Sequence, residues 1–273
     1  METPQAPQVN PYGAPLARVE DAAAGSAGIL DRARSVPAGH ALAWYSEAWR
    51  LFKLSPGAWI GIWLIFFVIL VAISAIPFIG GLISALLTPV FVGGVMLAAR
   101  DADRNGDVAI SKLFAAFSTH AGPLVLVGLL QLALWVVFFL IASVVIGVYI
   151  GIGVGAGMSF ESFMSPGVLL PIILIGFILG ILYIPFTMAV WLAATLVALH
   201  DIGALDALRM GFSAAFRNLL ALIVLVLVTI PLAIVASVPF LLGWFVLGPV
   251  LLILLYAEYR DLFALTESSP PRA

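Results

Sequence analysis

The chain has 273 residues, of which 63% are hydrophobic and 10% charged, with a formal net charge of −2 and no cysteine. Globular proteins average roughly 45–50% apolar and 25% charged residues, so this chain has too little polar surface to cover its apolar surface in water, and an ordinary soluble domain is excluded. The lack of cysteine also excludes disulfides, thiolate nucleophiles and cysteine-ligated metals.

Residues 1–38 are rich in Pro, Ala and small polar residues and hold no apolar core followed by a cleavage site, so they do not read as a signal peptide. A disordered cytoplasmic tail is expected there, with the first span serving as an uncleaved insertion signal. Beyond it, all twelve lysines and arginines fall in four clusters, at 18–53, 100–112, 209–217 and 260–272. The stretches 54–99, 113–160, 162–200 and 218–257 carry no charge. About 20 apolar residues cross a bilayer, so runs of 40 or more suit two crossings each. The runs are continuously apolar, as in 60–73 and 219–231, where a barrel strand would alternate over roughly ten residues. Helices are therefore expected.

Spans are predicted near 57–77, 82–99, 122–145, 167–199, 218–237 and 241–259. The connections 78–81, 158–166 and 238–240 have no lysine or arginine, so they belong outside, and both termini with the two charged loops belong in the cytoplasm. Of the fourteen acids, Glu161 alone falls on the outer side, and Glu258 is counted with the cytoplasmic charges. The pair of runs at 123–157 and 167–199 is long for a bilayer, and implies helices that tilt and protrude or break at glycine or proline.

The chain also reads as three units, about 40–106, 107–203 and 204–264, within one membrane domain at 39–264, followed by a short cytoplasmic tail at 265–273. Pro89 precedes Asp101 and Pro249 precedes Asp261 by the same interval, as Arg100-Asp101 and Arg260-Asp261; Pro185 leads more loosely to His200-Asp201. Ile76-Pro77-Phe78 and Val238-Pro239-Phe240 mark matching outer turns. Before each hairpin an apolar stripe recurs at helical spacing: Leu42, Tyr45, Trp49 and Phe52; Ile110, Leu113, Phe114 and Phe117; Leu205, Leu208, Phe212 and Phe216. Such short helices suit the membrane interface, aromatic groups at headgroup level and basic groups near anionic lipid. Trp44, Trp49, Phe52, Phe114, Phe117, Phe212 and Phe216, with Arg100, Asp101, Arg260 and Asp261, are thus the candidate interfacial or partner contacts.

Gly147, Gly151 and Gly155 form a small-residue strip expected to pack a neighbouring helix closely. The glycine run 151–155 lacks the strand and βαβ unit that a dinucleotide fingerprint needs. Charged groups are absent from the predicted membrane interior, which speaks against a proton-coupled transporter or pump. Gln131 is the costliest polar residue left there and is expected to make an interhelical hydrogen bond. His40, His120 and His200 are eighty residues apart, in no metal-binding motif, and no nucleophile, base and acid group together. No catalytic residue, metal or cofactor is assigned, and the scattered basic residues give no support for nucleic-acid binding.

Val36-Pro37-Ala38-Gly39-His40 leading into Trp44, Trp49, Arg50, Leu51 and Phe52 carries a resemblance, as do Pro56-Gly57-Ala58-Trp59-Ile60-Gly61, Pro89-Val90-Phe91 before Gly93-Gly94-Val95-Met96, and Tyr256-Ala257-Glu258-Tyr259-Arg260-Asp261. Over roughly 36–264 the chain resembles an uncharacterised bacterial multi-pass inner-membrane protein family. Its layout is distantly similar to the membrane domain attached to some glycerophosphodiester phosphodiesterases. This sequence shows no phosphodiesterase domain, so that activity does not carry over. The resemblance implies an inner-membrane location and transfers no site residues. The expected function is a non-enzymatic scaffold or accessory factor contacting lipid, a protein partner or a second copy of itself; the alternative is a facilitator or exporter of a small neutral or apolar solute.

Overall fold

A computed structural model describes residues 32–264. Most of the predicted tail, residues 1–31, and the terminal 265–273 lie outside the described residues. What is described of the tail is tied down: Arg34 N donates to Leu262 O at 2.9 Å and Val36 N to Asn218 Oδ1 at 2.8 Å.

The described chain is helical, beginning with α1 (His40–Leu54), α2 (Pro56–Ser74) and α3 (Gly80–Asn105). A 3₁₀ turn (Ile110–Phe114) leads into α4 (Ala115–Thr119), and α5 (Ala121–Gly155) follows. After α6 (Phe160–Phe163) come α7 (Pro166–His200), α8 (Ala204–Arg217), α9 (Leu219–Ser237) and α10 (Trp244–Phe263). The protein is a polytopic helical membrane bundle. α2, α3, α5, α7 and α9 are long and apolar enough to cross a bilayer. α10 has 20 residues, but Glu258, Arg260 and Asp261 sit in its last two turns, so by composition it departs from the six predicted spans.

The middle hairpin does not break. α5 and α7 each run 35 residues without interruption, about 50 Å at 1.5 Å per residue, although Pro171 and Pro185 lie inside α7. Their distal halves expose Val137, Leu140, Val144 and Val148 on α5, and Leu170, Leu174, Phe177 and Leu182 on α7. The other two hairpins turn sharply at the same end. Phe78 (φ 65°) and Phe240 (φ 49°) both take the left-handed conformation that β-carbon sterics disfavour, and both are fully exposed.

α3, α7 and α10 pack against one another in the middle, and α2, α5 and α9 sit around them. In lipid the driving force is close packing of small residues, since lipid tails solvate leucine as well as protein does. The inner helices accordingly bury Val95, Met96 and Ala99, Ala193, Leu196 and Val197, and Ile253, Leu254 and Ala257. Each inner helix keeps a buried proline inside it, Pro89, Pro185 and Pro249.

The amphipathic segments dock on this trio at the charged end. The 3₁₀ turn and α4 pack on α3, α8 on α7, and α1 on α10. A β-carbon on Gly94 would sit 2.1 Å from the Leu113 carbonyl oxygen, and one on Gly211 would sit 2.3 Å from that of Ala189. Glycine is required at both contacts because the backbones touch.

The predicted glycine strip is corrected. Added β-carbons at Gly147, Gly151 and Gly155 would meet nothing within 4 Å, because this face of α5 is open, whereas Gly153 is buried and Tyr149 bonds the Val168 carbonyl of α7. Close approach falls instead at Gly93, Gly94, Gly128, Gly211 and Gly248.

Candidate interaction surface at the charged end

α1 forms because residues 40–54 present Ala41, Trp44, Ala48, Leu51 and Phe52 along one side, and that side is buried. The alanines let its backbone approach α10, while Trp44 and Phe52 fill the space beside them. Trp44 and Phe52 are therefore core residues, which overturns their assignment as interfacial contacts: they are 2% and 4% exposed. Trp49 stacks on Phe52 at 5.3 Å and is 44% exposed. On the other segments Phe114 and Phe216 are exposed at 44% and 59%, and Phe117 is partly open. Phe212 is half-buried, its ring 5.7 Å from Phe186. The exposed aromatic side chains of the three segments, together the aromatic rim, share α1 and α8 with the basic residues Arg50, Lys53 and Arg217.

Ion pairs lock this end together. Arg50 reaches Glu47 at 2.7 Å and Asp103 at 2.6 Å; Arg260 reaches the same two acids, each at 2.8 Å. The four residues close a ring that joins α1, α3 and α10, and Tyr256 donates a further hydrogen bond to Asp103 at 3.3 Å. Hydrogen bonding from Arg50 holds the Glu47 carboxyl below its usual range, against the opposing effect of burial. Burial raises the Tyr45 phenol, whose hydroxyl pairs with Thr229 at 2.6 Å.

The aspartates that end the inner helices have separate partners. Asp101 pairs with Lys112 at 2.7 Å, Asp201 with His120 at 2.7 Å, and Asp261 with both His40 and Trp44 at 2.7 Å. Asp101, Asp261 and Arg260 thus serve contacts within the chain, whereas Arg100 forms no ion pair among the described residues. The three histidines go to three different places, His200 bonding the Tyr259 hydroxyl.

Two polar residues depart from expectation. Glu258 is fully buried and neither carboxylate oxygen has a hydrogen-bond partner, so the predicted span 241–259 holds a buried acid where no charged group was expected. It is two residues from Arg260, which turns it some 160° away around the helix and off the ionic face. Gln131 is 7% exposed and its Oε1 is buried without a partner, so the expected interhelical hydrogen bond to that oxygen is missing. The void beside it, lined by Thr88, Pro89, Val190 and Trp191, holds about 10 Å³, roughly one water molecule. Thr187 and Thr195 turn back to the carbonyls of their own helix. The larger grooves are apolar: one of about 420 Å³ runs between α7, α9 and α10 past Met188, Leu225 and Leu252.

The ring of Glu47, Arg50, Asp103 and Arg260 was not foreseen. Only Glu47–Arg50, three residues apart on one helix, gives a local signal; the links to Asp103 and Arg260 depend on tertiary packing.

No protein-family model matches the chain. It is similar to a probable inner membrane protein of Burkholderia thailandensis, 27% identical over 184 residues, covering 64% of this chain. The matched stretch spans 66% of that relative, just under two thirds of its length. No solved structure matches.

Proposed function

We propose that this protein is a non-enzymatic scaffold or accessory factor of the bacterial inner membrane, and that it engages lipid or a protein partner through the aromatic rim at its charged end. The observation that carries this reading is the exposure of Trp49, Phe114 and Phe216 on three amphipathic segments, each docked on a different inner helix. The aromatic and basic side chains together suit the headgroup region of a bilayer. The charged end is placed in the cytoplasm because basic residues concentrate there, and α10 is read as the sixth crossing. The name of the Burkholderia relative supports the inner-membrane location. The order of docking, with each segment on the last helix of the unit before it and α1 closing the circle on α10, supports three related units. The single-water void beside Gln131 favours a contact role over passage of a solute.

The test replaces Trp49, Phe114 and Phe216 together by serine. These side chains are exposed, so the thermal midpoint in detergent should hold, while co-purified lipid, crosslinked partners and phenotype should change. Unaltered lipid content, crosslinks and phenotype in a folded variant would remove the reading.

A further inference from the structure

We propose that the charged end holds a binding site for a phosphate-type anion, formed by Arg100 and Arg104 of α3 over the His200–Tyr259 pair where α3, α7 and α10 meet. The two arginines are four residues apart and so share one face of α3. Arg100 and Arg104 lie in the last turns of α3, His200 ends α7 and Tyr259 lies in the last turns of α10, and these three helices pack together, which brings the four groups to the same end of the trio. His200 and Tyr259 bond each other and fix the floor.

Nothing within the described residues neutralises these guanidinium groups. Asp101 is taken by Lys112, and Asp103 by Arg50 and Arg260. Asp201 also reaches His200, but its carboxylate is bonded to His120. Glu258, adjacent to Tyr259 in sequence, is buried and forms no ion pair or hydrogen bond among the described residues. Arg100 also keeps a buried Nε with no acceptor, a rarity because buried donors are normally paired. Its guanidinium end is reachable, since Arg100 is half-buried and Arg104 is exposed. The C-terminus of α7 contributes roughly half a negative charge nearby, which two arginines outweigh. Paired planar guanidinium groups with a buried, unfilled donor match the oxygens of a phosphate ester. The anion is a lipid headgroup phosphate or a free phosphate.

The site shares the end used in the proposed contact function and deepens it: the lipid arm rests on that reading, while the free-phosphate arm does not. The full chain is purified in uncharged detergent, and its thermal midpoint is followed with sodium phosphate against sodium chloride at equal ionic strength. In parallel, phosphatidylglycerol is compared with phosphatidylcholine in mixed micelles. Binding raises the midpoint in proportion to occupancy. A response to phosphate identifies a soluble ligand, and a response to phosphatidylglycerol alone identifies a headgroup. Arg104→Gln, at an exposed position with no ion pair among the described residues, should weaken the apparent affinity about tenfold, and adding Arg100→Gln should abolish the response. The serine variant of the rim should respond as the wild type does, so loss of the rim function and loss of anion binding are separable. The proposal is overturned if neither anion shifts the wild type, if phosphatidylcholine shifts it equally, or if the folded Arg104→Gln chain responds unchanged.

Discussion

The two ends of this bundle are built on different rules. At the charged end the helices approach until backbones touch, at Gly94 and Gly211, and ion pairs join α1, α3 and α10. At the far end α5 and α7 continue with apolar side chains facing outward, and Gly147, Gly151 and Gly155 of α5 have open space in front of them. Hydrocarbon rewards close packing and hydrogen bonds rather than apolar burial as such. Helices there need not converge, whereas helices carrying charge must find partners. The contrast shows that hydropathy identifies which helices enter the membrane, and small residues determine where they meet.

The sharpest way to break this comparison is to add the same side chain at both ends. Gly211→Leu and Gly94→Leu should each cost about 3 kcal/mol or prevent assembly, because the new atoms overlap backbone carbonyls. Gly151→Leu should leave the stability, followed by the thermal midpoint, within about 0.5 kcal/mol of the wild type. An equally damaging Gly151→Leu would mean that a further helix covers that strip in the bilayer.

A smaller effect is expected from the ionic ring. Asp103→Ala removes an acid that accepts from Arg50, Arg260 and Tyr256, and should cost about 2 kcal/mol, read from the thermal midpoint. Glu47 adds a pH dependence. Its carboxyl is lowered in the folded chain, so its contribution is full above the ordinary carboxylate range and declines as pH falls through the lowered value. Acidification should therefore lower the midpoint of the wild type more than that of Glu47→Gln. Equal acid sensitivity would show that Glu47 contributes nothing. Gln131→Leu sits at the bottom of the scale: with Oε1 buried and unpaired, removing the amide should be neutral or stabilising by about 1 kcal/mol. A marked loss of stability would assign the amide a partner.

Much of the fold was legible because uncharged runs delimit helices directly. The ends of α2, α7 and α9 fall close to the predicted spans, whereas α5 runs on to Gly155, past the predicted end at 145. What was not legible was orientation around each helix. In α1 the eye is drawn to Trp49, yet the face defined by Ala41 and Ala48 is buried, because small residues permit the closest approach. Ala204, Ala207 and Gly211 give the same signal in α8. Glu258 shows the same point: it was counted with the cytoplasmic charges of Arg260 and Asp261, and helical phase turns it inward at that end. The glycine strip of α5 showed the limit of spacing arguments, since a small face without a partner packs nothing.

The claim on which the functional reading depends is that the charged end occupies one compartment, the cytoplasm. The chain has no cysteine, so single cysteines can be placed in turn at residues 53, 105 and 209 and at residues 79, 162 and 240. Intact cells are then treated with a membrane-impermeant maleimide. The last three positions should label, and the first three should label only after lysis. Labelling at 53, 105 or 209 in intact cells, or protection at 162, would contradict the placement of the charged end.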